Sequence, residues 1–400
     1  MISFAEAFEL VLSHPLALGT EQIPLEDCGG RILAGEVYSD RDLPPFDRAT
    51  MDGIALAYAA FREGQRDFPI RGEARAGTPL QCLNDPATCM EVMTGAMVPE
   101  GADTVVRYED LEIREGVAWI KAPVNRGQNI HPRGSDSGAG KLLLSPGQAI
   151  GPAEMAVLAS VGKSVAEVFA LPRTSLFSTG DELVPVDASP LPHQIRRSNI
   201  YALQSALGEL RIHPNVGHLP DHPEKIQCTL ATALDQPGVV LLSGGVSMGK
   251  YDYLPGLFAE LGVENIFHRV AQRPGKPFWF GINRHSGCLV FSFPGNPVST
   301  FLNYHLYFKA WLWNCWGLEL KKHQVLLPET EENTTPLTQF RLGEVREDQG
   351  KLVFSAVPMN SSGDFLSLSR AHGFACLEPR ETPYLAGESV PFHYYKSLLS

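Results

Sequence analysis

Between residues 173 and about 318, short apolar runs alternate with helical periods, and three of the runs end in loops of small polar residues. Thr174 to Phe177 leads into Ser178-Thr179-Gly180-Asp181-Glu182. Val239 to Leu242 leads into Ser243-Gly244-Gly245-Val246-Ser247, and Cys288 to Phe293 into Pro294-Gly295-Asn296-Pro297-Val298-Ser299. A helical pattern follows each loop, directly or after a short link. This alternation predicts a mostly parallel sheet covered by helices. Ligands of such open sheets collect where strands end and helices begin, because free backbone N–H groups and helix N-termini there favour negative charge. One Gly-rich loop would say little. Three at strand ends, with Arg273-Pro274-Gly275-Lys276-Pro277 between the second and third, predict an anion site.

The flanking segments have a different texture. Ser3-Phe4-Ala5-Glu6 reads as a capping box opening a helix to about Leu12. From Leu43 to Lys141, Gly, Pro and short β-like runs dominate, among them Thr104 to Tyr108 and Val117 to Lys121, with a turn at Arg114-Glu115-Gly116. Pro152 to Ser160 reads as a helix stopped at Gly162. Within the alternating region, Asn199 is placed to cap a helix from Ile200 to Leu210, and Ser299 a long helix ending near Trp316. Pro255 to Leu261 reads as a shorter helix closed by Gly262. From about Val325 the helical period is lost, and Phe340 to Val345 with Lys351 to Val357 flank Glu347-Asp348-Gln349-Gly350 as a hairpin. The expected architecture is multi-domain α/β plus β. A discontinuous helical domain (1–42 and 142–172) and a β-rich domain (43–141) precede an α/β domain (173–324) and a C-terminal β domain (325–400).

Bulk properties narrow the function. The net charge is −12 over 400 residues, which argues against a general grip on nucleic acid. Arg196, Arg197, Lys250, Arg273 and Lys276 nevertheless lie near the loops in sequence. Seven cysteines contain no C-x-x-C pair, so neither a disulfide framework nor a structural zinc site is expected, and a reducing cytoplasm fits. Glu6 and Glu9 near the start do not suit a signal peptide. The apolar stretch Phe301 to Trp316 is too short and too interrupted to span a bilayer.

Several groups carry candidate chemistry. Asp181, Glu182, Asp221 and Asp252 all fall in the α/β region. Carboxylates beside an anion site suggest a divalent cation between them, most simply Mg²⁺ shared with phosphate oxygens. Taken singly, each of these acids also suits a cap or a turn. Asp52 in Asp47-Arg48-Ala49-Thr50-Met51-Asp52-Gly53 follows a stiff Pro44-Pro45 approach, and Gly53 permits a close turn. Thr94-Gly95-Ala96-Met97 and Gly134-Ser135-Asp136 are similar polar turns. His213, His218 and His222 cluster without helical ligand spacing, so loop histidines are expected rather than zinc. Gly245-Val246-Ser247-Met248-Gly249 matches the G-x-S-x-G nucleophile elbow, although the next helix starts too late for one. Ser361-Ser362-Gly363-Asp364 reads as a solvated turn, and Arg370 after it is a candidate oxyanion contact.

Many of these motifs, in this order, resemble the MoeA family of molybdopterin molybdenumtransferases, to which the C-terminal part of gephyrin also belongs. The resemblance runs through nearly the whole chain. It is carried by Pro45-Phe46-Asp47 with Met51-Asp52-Gly53, Thr94-Gly95-Ala96-Met97 with Pro99 and Gly101-Ala102-Asp103, Ser178 to Leu183, Ser243 to Ser247, Pro274-Gly275-Lys276-Pro277, and Pro294 to Ser299. It implies a helical linker domain, an elongated β-rich domain, a three-layer molybdopterin-binding α/β domain and a C-terminal β-barrel-like domain. It also implies a cytoplasmic homodimer acting on adenylated molybdopterin and molybdate, with AMP released and Mg²⁺ as helper. Contact with the upstream adenylating protein and with apo-molybdoenzymes belongs to the same expectation; nucleic acid and membrane do not.

By that resemblance Glu182 is the essential acid, and Asp181, Asp221 and Asp252 hold Mg²⁺ or orient water, with Glu182 as a further metal ligand. Ser243, Gly244, Gly245 and Ser247 cradle phosphate, Arg273 and Lys276 attract molybdate, and Pro294 and Pro297 shape the third loop. Asp52, Thr94 and Asp136 reach in from the partner subunit. This chain departs from the family pattern at Arg273 (usually Lys), Arg197 (usually Asp), Lys250 and Ser135 (both usually Glu), and Arg48-Ala49-Thr50 (usually Asn-Ser-Ala). The alternatives are a serine hydrolase using Ser247 and a non-catalytic pterin-binding paralogue.

Overall fold

The computed structural model describes residues 1–246, 253–321 and 323–396. The chain forms two compact units, one of residues 1–21 with 168–400 and one of residues 22–167.

The first helix, Phe4–Leu12, begins with the expected capping box. The Glu6 amide donates to Ser3 Oγ at 3.1 Å and the Ser3 amide to Glu6 Oε2 at 2.8 Å. Ala7 and Val11 are its buried face. The segment is tied to the helix that ends at Cys315: Trp311 Nε1 donates to the His14 carbonyl and Asn314 Nδ2 to that of Leu12.

The 22–167 unit is built on a six-stranded sheet in the order Thr104–Arg107, Gly53–Leu56, Cys89–Val92, Asp67–Ala74, Val117–Ile120, Leu111–Arg114. All neighbours are antiparallel except Asp67–Ala74 with Cys89–Val92. The Glu115-Gly116 turn joins the last two strands as predicted. The reason for Gly53 differs from the sequence expectation. It lies in a strand, not a turn, and a Cβ there would strike the Val106 carbonyl of the neighbouring strand. Only a residue without a side chain allows that approach.

In the larger unit, six strands run in the order Asn215–Leu219, Thr174–Thr179, Val239–Ser243, Leu289–Phe293, Trp279–Asn283, Val263–His268. The first four are mutually parallel, Trp279–Asn283 runs against them and Val263–His268 runs against Trp279–Asn283, so the sheet is mixed, with the predicted parallel part intact. Thr174–Thr179, Val239–Ser243 and Leu289–Phe293 are buried on both faces, which explains their apolar runs, whereas Asn215–Leu219 at the sheet edge is partly exposed. Helices Ser198–Glu209, Pro223–Ala233 and Leu254–Glu260 belong to this domain. A continuous helical rod runs from Pro297 to Cys315, with a π-helical stretch at Tyr304–Phe308.

Two capping expectations fail. The Ser198–Glu209 helix starts before Asn199, with Arg197 at the cap position, and the rod starts at Pro297, which leaves Ser299 buried in its first turn. Proline at the first helical position needs no amide partner and so moved the start upstream.

Beyond Val325 the β prediction holds. His323–Leu326, Thr338–Asp348, Lys351–Ala356, Gly373–Leu377 and Ser389–Tyr394 pair in a ring that closes a five-stranded barrel. Glu347 and Asp348 belong to the strand, so the hairpin turn is only Gln349-Gly350. A short helix, Phe365–Arg370, interrupts the β pattern unannounced.

Gly53→Ala is expected to destabilise the protein by at least about 1–3 kcal/mol, the usual cost of overpacking, read as a lower midpoint in denaturant unfolding of the full chain.

Candidate active site

The parallel register sets the geometry of the loops. Ser178 stands opposite His218 on one side and Ser243 on the other, and Ser243 stands opposite Phe293. The three predicted loops therefore leave the sheet at one level.

Side chains then bind them together. Asn199, free of a capping role, donates from Nδ2 to Ser243 Oγ at 2.8 Å and to the Gly295 carbonyl at 2.7 Å. Thr300 Oγ1 donates to the Pro294 carbonyl, and the Gly244 amide donates to the Phe293 carbonyl at 3.0 Å. Ser243 is buried with its hydroxyl engaged, so it shapes the cradle from behind. Gly244 (φ +104°) and Gly245 (φ +76°) adopt conformations that suit glycine. An added Cβ on Gly244 would lie 2.5 Å from Thr179 Oγ1. The C-terminal domain reaches the third loop as well. Asn296 Nδ2 donates to Ser362 Oγ at 2.7 Å and the Val298 amide to the Ser362 carbonyl at 3.0 Å. Ser362 lies in the expected turn and is at the same time a structural partner of the loop. Arg370 is exposed at the end of the helix that follows.

The Arg273–Pro277 segment is held from below. Gln272 is fully buried, and its Nε2 donates to Asn303 Oδ1 at 2.8 Å and to the Pro274 carbonyl at 3.1 Å. Asn303 Nδ2 donates to the Gly275 carbonyl at 3.1 Å, and the Tyr307 hydroxyl donates to Gln272 Oε1. Every amide group of this buried triad is engaged, which makes it rigid. Arg273 and Lys276 project from this base and are exposed. The Asn199 and Gln272–Asn303 contacts were missed in the sequence because they join residues 31 to 96 positions apart. Their one trace is an Asn inside each helical pattern.

The acids gather at the sheet edge. The Asp221 amide donates to Asp181 Oδ1 at 3.0 Å and the Asp181 amide to Asp221 Oδ2 at 3.3 Å, a reciprocal clasp between two strand ends. Glu182 is exposed, its carboxyl lying over Gly180, and its carbonyl accepts from the Ile195 amide. The Arg197 amide donates to the Val184 carbonyl, and Arg197 Nε is buried with no partner among the described residues. His218 lies on a strand, not a loop, with Nδ1 3.1 Å from Ser178 Oγ. Burial first, and the Arg197 guanidinium second, push it below its ordinary pKa. Among the described residues, no group of three or more His, Cys, Asp and Glu could hold a metal ion. Ser247, Lys250 and Asp252 lie outside the described residues.

Asp52, Thr94 and Asp136 belong to the 22–167 unit. Asp52 Oδ1 accepts from the Thr94 amide at 2.6 Å and its hydroxyl at 2.8 Å. These bonds, amide first, hold the exposed carboxyl below the usual carboxylate range. Arg48 Nη2 lies 3.0 Å from His131 Nδ1, and His131 Nε2 lies 2.8 Å from Asp136 Oδ1. Arginine can only donate, so the imidazole proton sits on Nε2 and points at Asp136. This gives the unusual Arg48 a role in orienting that pair. The two groups share one strip of backbone, for Arg48–Ala49 pairs with Ile130–His131 and the Gly95 amide donates to the Ala49 carbonyl.

Glycine-rich loops gathered at one end of a parallel sheet, with exposed cations and carboxylates beside them, are features of proteins that handle a phosphorylated ligand. Comparison with known proteins places it more closely. Three sequence profiles match in order: "MoeA N-terminal region (domain I and II)" over residues 2–162, "Probable molybdopterin binding domain" over 175–312, and "MoeA C-terminal region (domain IV)" over 325–395. The molybdopterin molybdenumtransferase of Synechocystis sp. is 37% identical over 98% of this chain and 100% of its own length. That of Bacillus subtilis is 30% identical over 93% and 89%. The solved structure of the molybdopterin biosynthesis MoeA protein of Pyrococcus horikoshii superposes with a TM-score of 0.79 at 30% identity, covering 99% of this chain and all of that one. The chain belongs to the MoeA family of molybdopterin molybdenumtransferases. Nothing in these comparisons supports a serine hydrolase.

Thr94→Val removes one of the two bonds to Asp52. The Asp52 pKa should then rise toward the ordinary value of about 3.9, followed by carbon-detected NMR titration. The stability tied to this carboxylate is present above its unfolded-state value and is lost as pH falls through the lower folded value. In the variant the loss should begin at the same pH, be smaller, and be complete at a higher pH.

Proposed function

We propose that this chain inserts molybdate into adenylated molybdopterin, with AMP leaving and molybdenum ending on the dithiolene sulfurs. The observation that carries the reading is the gathering of three anion-type loops at one level of the sheet, with Asp181, Glu182 and Asp221 at its edge, in a chain of this family.

Both reactants are anionic and repel each other, so the protein must supply positive charge and fixed donors where they meet. Arg273 and Lys276, on their rigid base, attract molybdate, and Arg370 adds charge from the C-terminal domain. The Gly244–Gly245 and Pro294–Pro297 loops hold the phosphoanhydride against backbone with no side chains in the way. Water attacks a phosphorus of the P–O–P linkage and gives up a proton to Glu182, which is exposed and next to these loops; the linkage breaks, AMP leaves with its phosphate and the pterin keeps its own.

Asp181 and Asp221 hold each other through only one carboxylate oxygen each, so two oxygens remain for a cation. Two carboxylates suit Mg²⁺, which is usually held by one or two carboxylates plus substrate phosphates; Asp252 is the third candidate ligand. When bound, the ion neutralises charge on the anhydride.

We further propose a cytoplasmic homodimer in which Asp52, Thr94 and Asp136 of one subunit complete the site of the other. The exposed, pre-ionised Asp52 and the oriented His131–Asp136 pair support this, since both carboxylates face solvent. All seven cysteines are free, which suits a reducing compartment. No helix among the described residues is long and apolar enough to cross a membrane. The upstream adenylating protein and the apo-molybdoenzymes are the natural macromolecular partners of such an activity.

Molybdate-dependent AMP release from adenylated molybdopterin, assayed with and without Mg²⁺, tests the reaction. Glu182→Ala should lower it by at least about 100-fold, the usual contribution of a proton-transfer group. Pterin binding without turnover by the wild type would instead mark a non-catalytic relative. Mixing Asp52→Ala and Glu182→Ala subunits should restore part of the activity that each lacks alone. Failure of such mixed dimers to recover any would place both residues in one subunit's site.

A further inference from the structure

The segment that carries Arg197 is fastened to the one that leaves the acidic clasp. Leu183–Val184 pairs in parallel with Ile195–Arg196. The Ile195 amide donates to the Glu182 carbonyl at 2.9 Å, and the Arg197 amide to the Val184 carbonyl at 3.1 Å. Two residues on, Asn199 is bonded to Ser243 and Gly295. Arg197 is thereby held between the first loop and the second. It is half-buried, and its Nε is buried with no partner among the described residues. A charged donor left buried and unbonded is costly unless negative charge nearby offsets it.

The clasp supplies that charge. Among the described residues, only backbone amides bond the Asp181 and Asp221 carboxylates. His218, opposite Ser178 in the sheet, stands among all three charges. Burial is the largest influence on its pKa and lowers it; the Arg197 guanidinium lowers it further, while Asp181 and Asp221 raise it. Two neighbouring carboxylates repel each other. A divalent ion relieves that repulsion, and so does a fixed cation. We propose that Arg197 is a resident counter-charge for the Asp181–Asp221 clasp: it stabilises the pair without a metal and weakens the grip of the pair on a divalent ion. A grip weakened in this way ties firm binding of the ion to the arrival of substrate phosphate, which brings further oxygens and negative charge. The inference rests on the reading of Asp181 and Asp221 as ligands of a divalent ion.

Titration of the full chain with Mn²⁺, with the free ion followed by electron paramagnetic resonance, tests it without any turnover. Arg197→Gln removes the charge and should tighten Mn²⁺ binding at least about fivefold, the size expected when one charge is removed from beside a divalent ion at a solvent-exposed edge. Arg197→Met, apolar and of similar length, should do the same. Arg197→Lys keeps the charge and should bind as weakly as the wild type. Adding Asp221→Asn to Arg197→Gln should abolish the gain, which places the ion at the clasp. Damage to the fold would weaken binding, so a gain cannot come from a misfolded variant. Affinity no tighter than wild type in folded Arg197→Gln and Arg197→Met, or an equal gain in Arg197→Lys, overturns the inference. If Asp221→Asn still removes the binding in that case, the clasp stands as the ion site. Mn²⁺ binding to none of these proteins overturns the ion site and the inference together. Molybdate-dependent AMP release by the same preparations judges the proposed reaction separately.

Discussion

The site depends on the register of three parallel strands. Ser178, Ser243 and Phe293 are register neighbours across the sheet, so three chain segments reach its edge together and must turn there. Parallel pairing forces each return connection through a helix, which brings helix starts and loops to the same edge. The small residues of the loops follow from that crowding. Gly244 faces Thr179, and Gly245 faces Leu254, too closely for any side chain. What makes the loops accessible to a phosphate is thus the same steric condition that lets them coexist.

Loops of this kind need support, and it comes from buried amide side chains. Asn199 bonds two loops at once, and the Gln272–Asn303–Tyr307 triad holds a third segment from within the core. Asn303 lies at the junction with the π-helical stretch Tyr304–Phe308. Such stretches recur at functional sites, where one extra residue per turn re-aims side chains. The C-terminal barrel takes part too, through Ser362 and through the pairing of Gln272–Arg273 with Thr338 and Gln339. The cationic loop is therefore braced by both the helical rod and the barrel.

Electrostatics divide the work. Asp52 is kept ionised by two donors, and Asp136 is addressed by an imidazole proton whose position Arg48 determines. At the sheet edge, Arg197 stands near the acidic clasp in sequence and its Nε is buried with no partner among the described residues. It helps keep His218 neutral beside Ser178, and its charge opposes that of the Asp181–Asp221 clasp. The structure offers no account of the Ser135 departure.

The sequence alone determined the elements whose signals are local: the Ser3–Glu6 cap, the buried parallel strands, the glycine-rich strand ends and the β character beyond Val325. It also determined the family, because those signals fall in a characteristic order. Long-range partners decided the rest. Asn199 reads as a cap, yet its amide finds Ser243 and Gly295, which only the folded sheet brings near. Gly53 reads as a turn, yet what it must avoid is the Val106 carbonyl on another strand. The Phe365–Arg370 helix was equally hidden, since six residues carry too little periodicity to signal a helix. Local preference sets which elements form; which side chains meet depends on strand register and helix placement, and these exist only once the chain has folded.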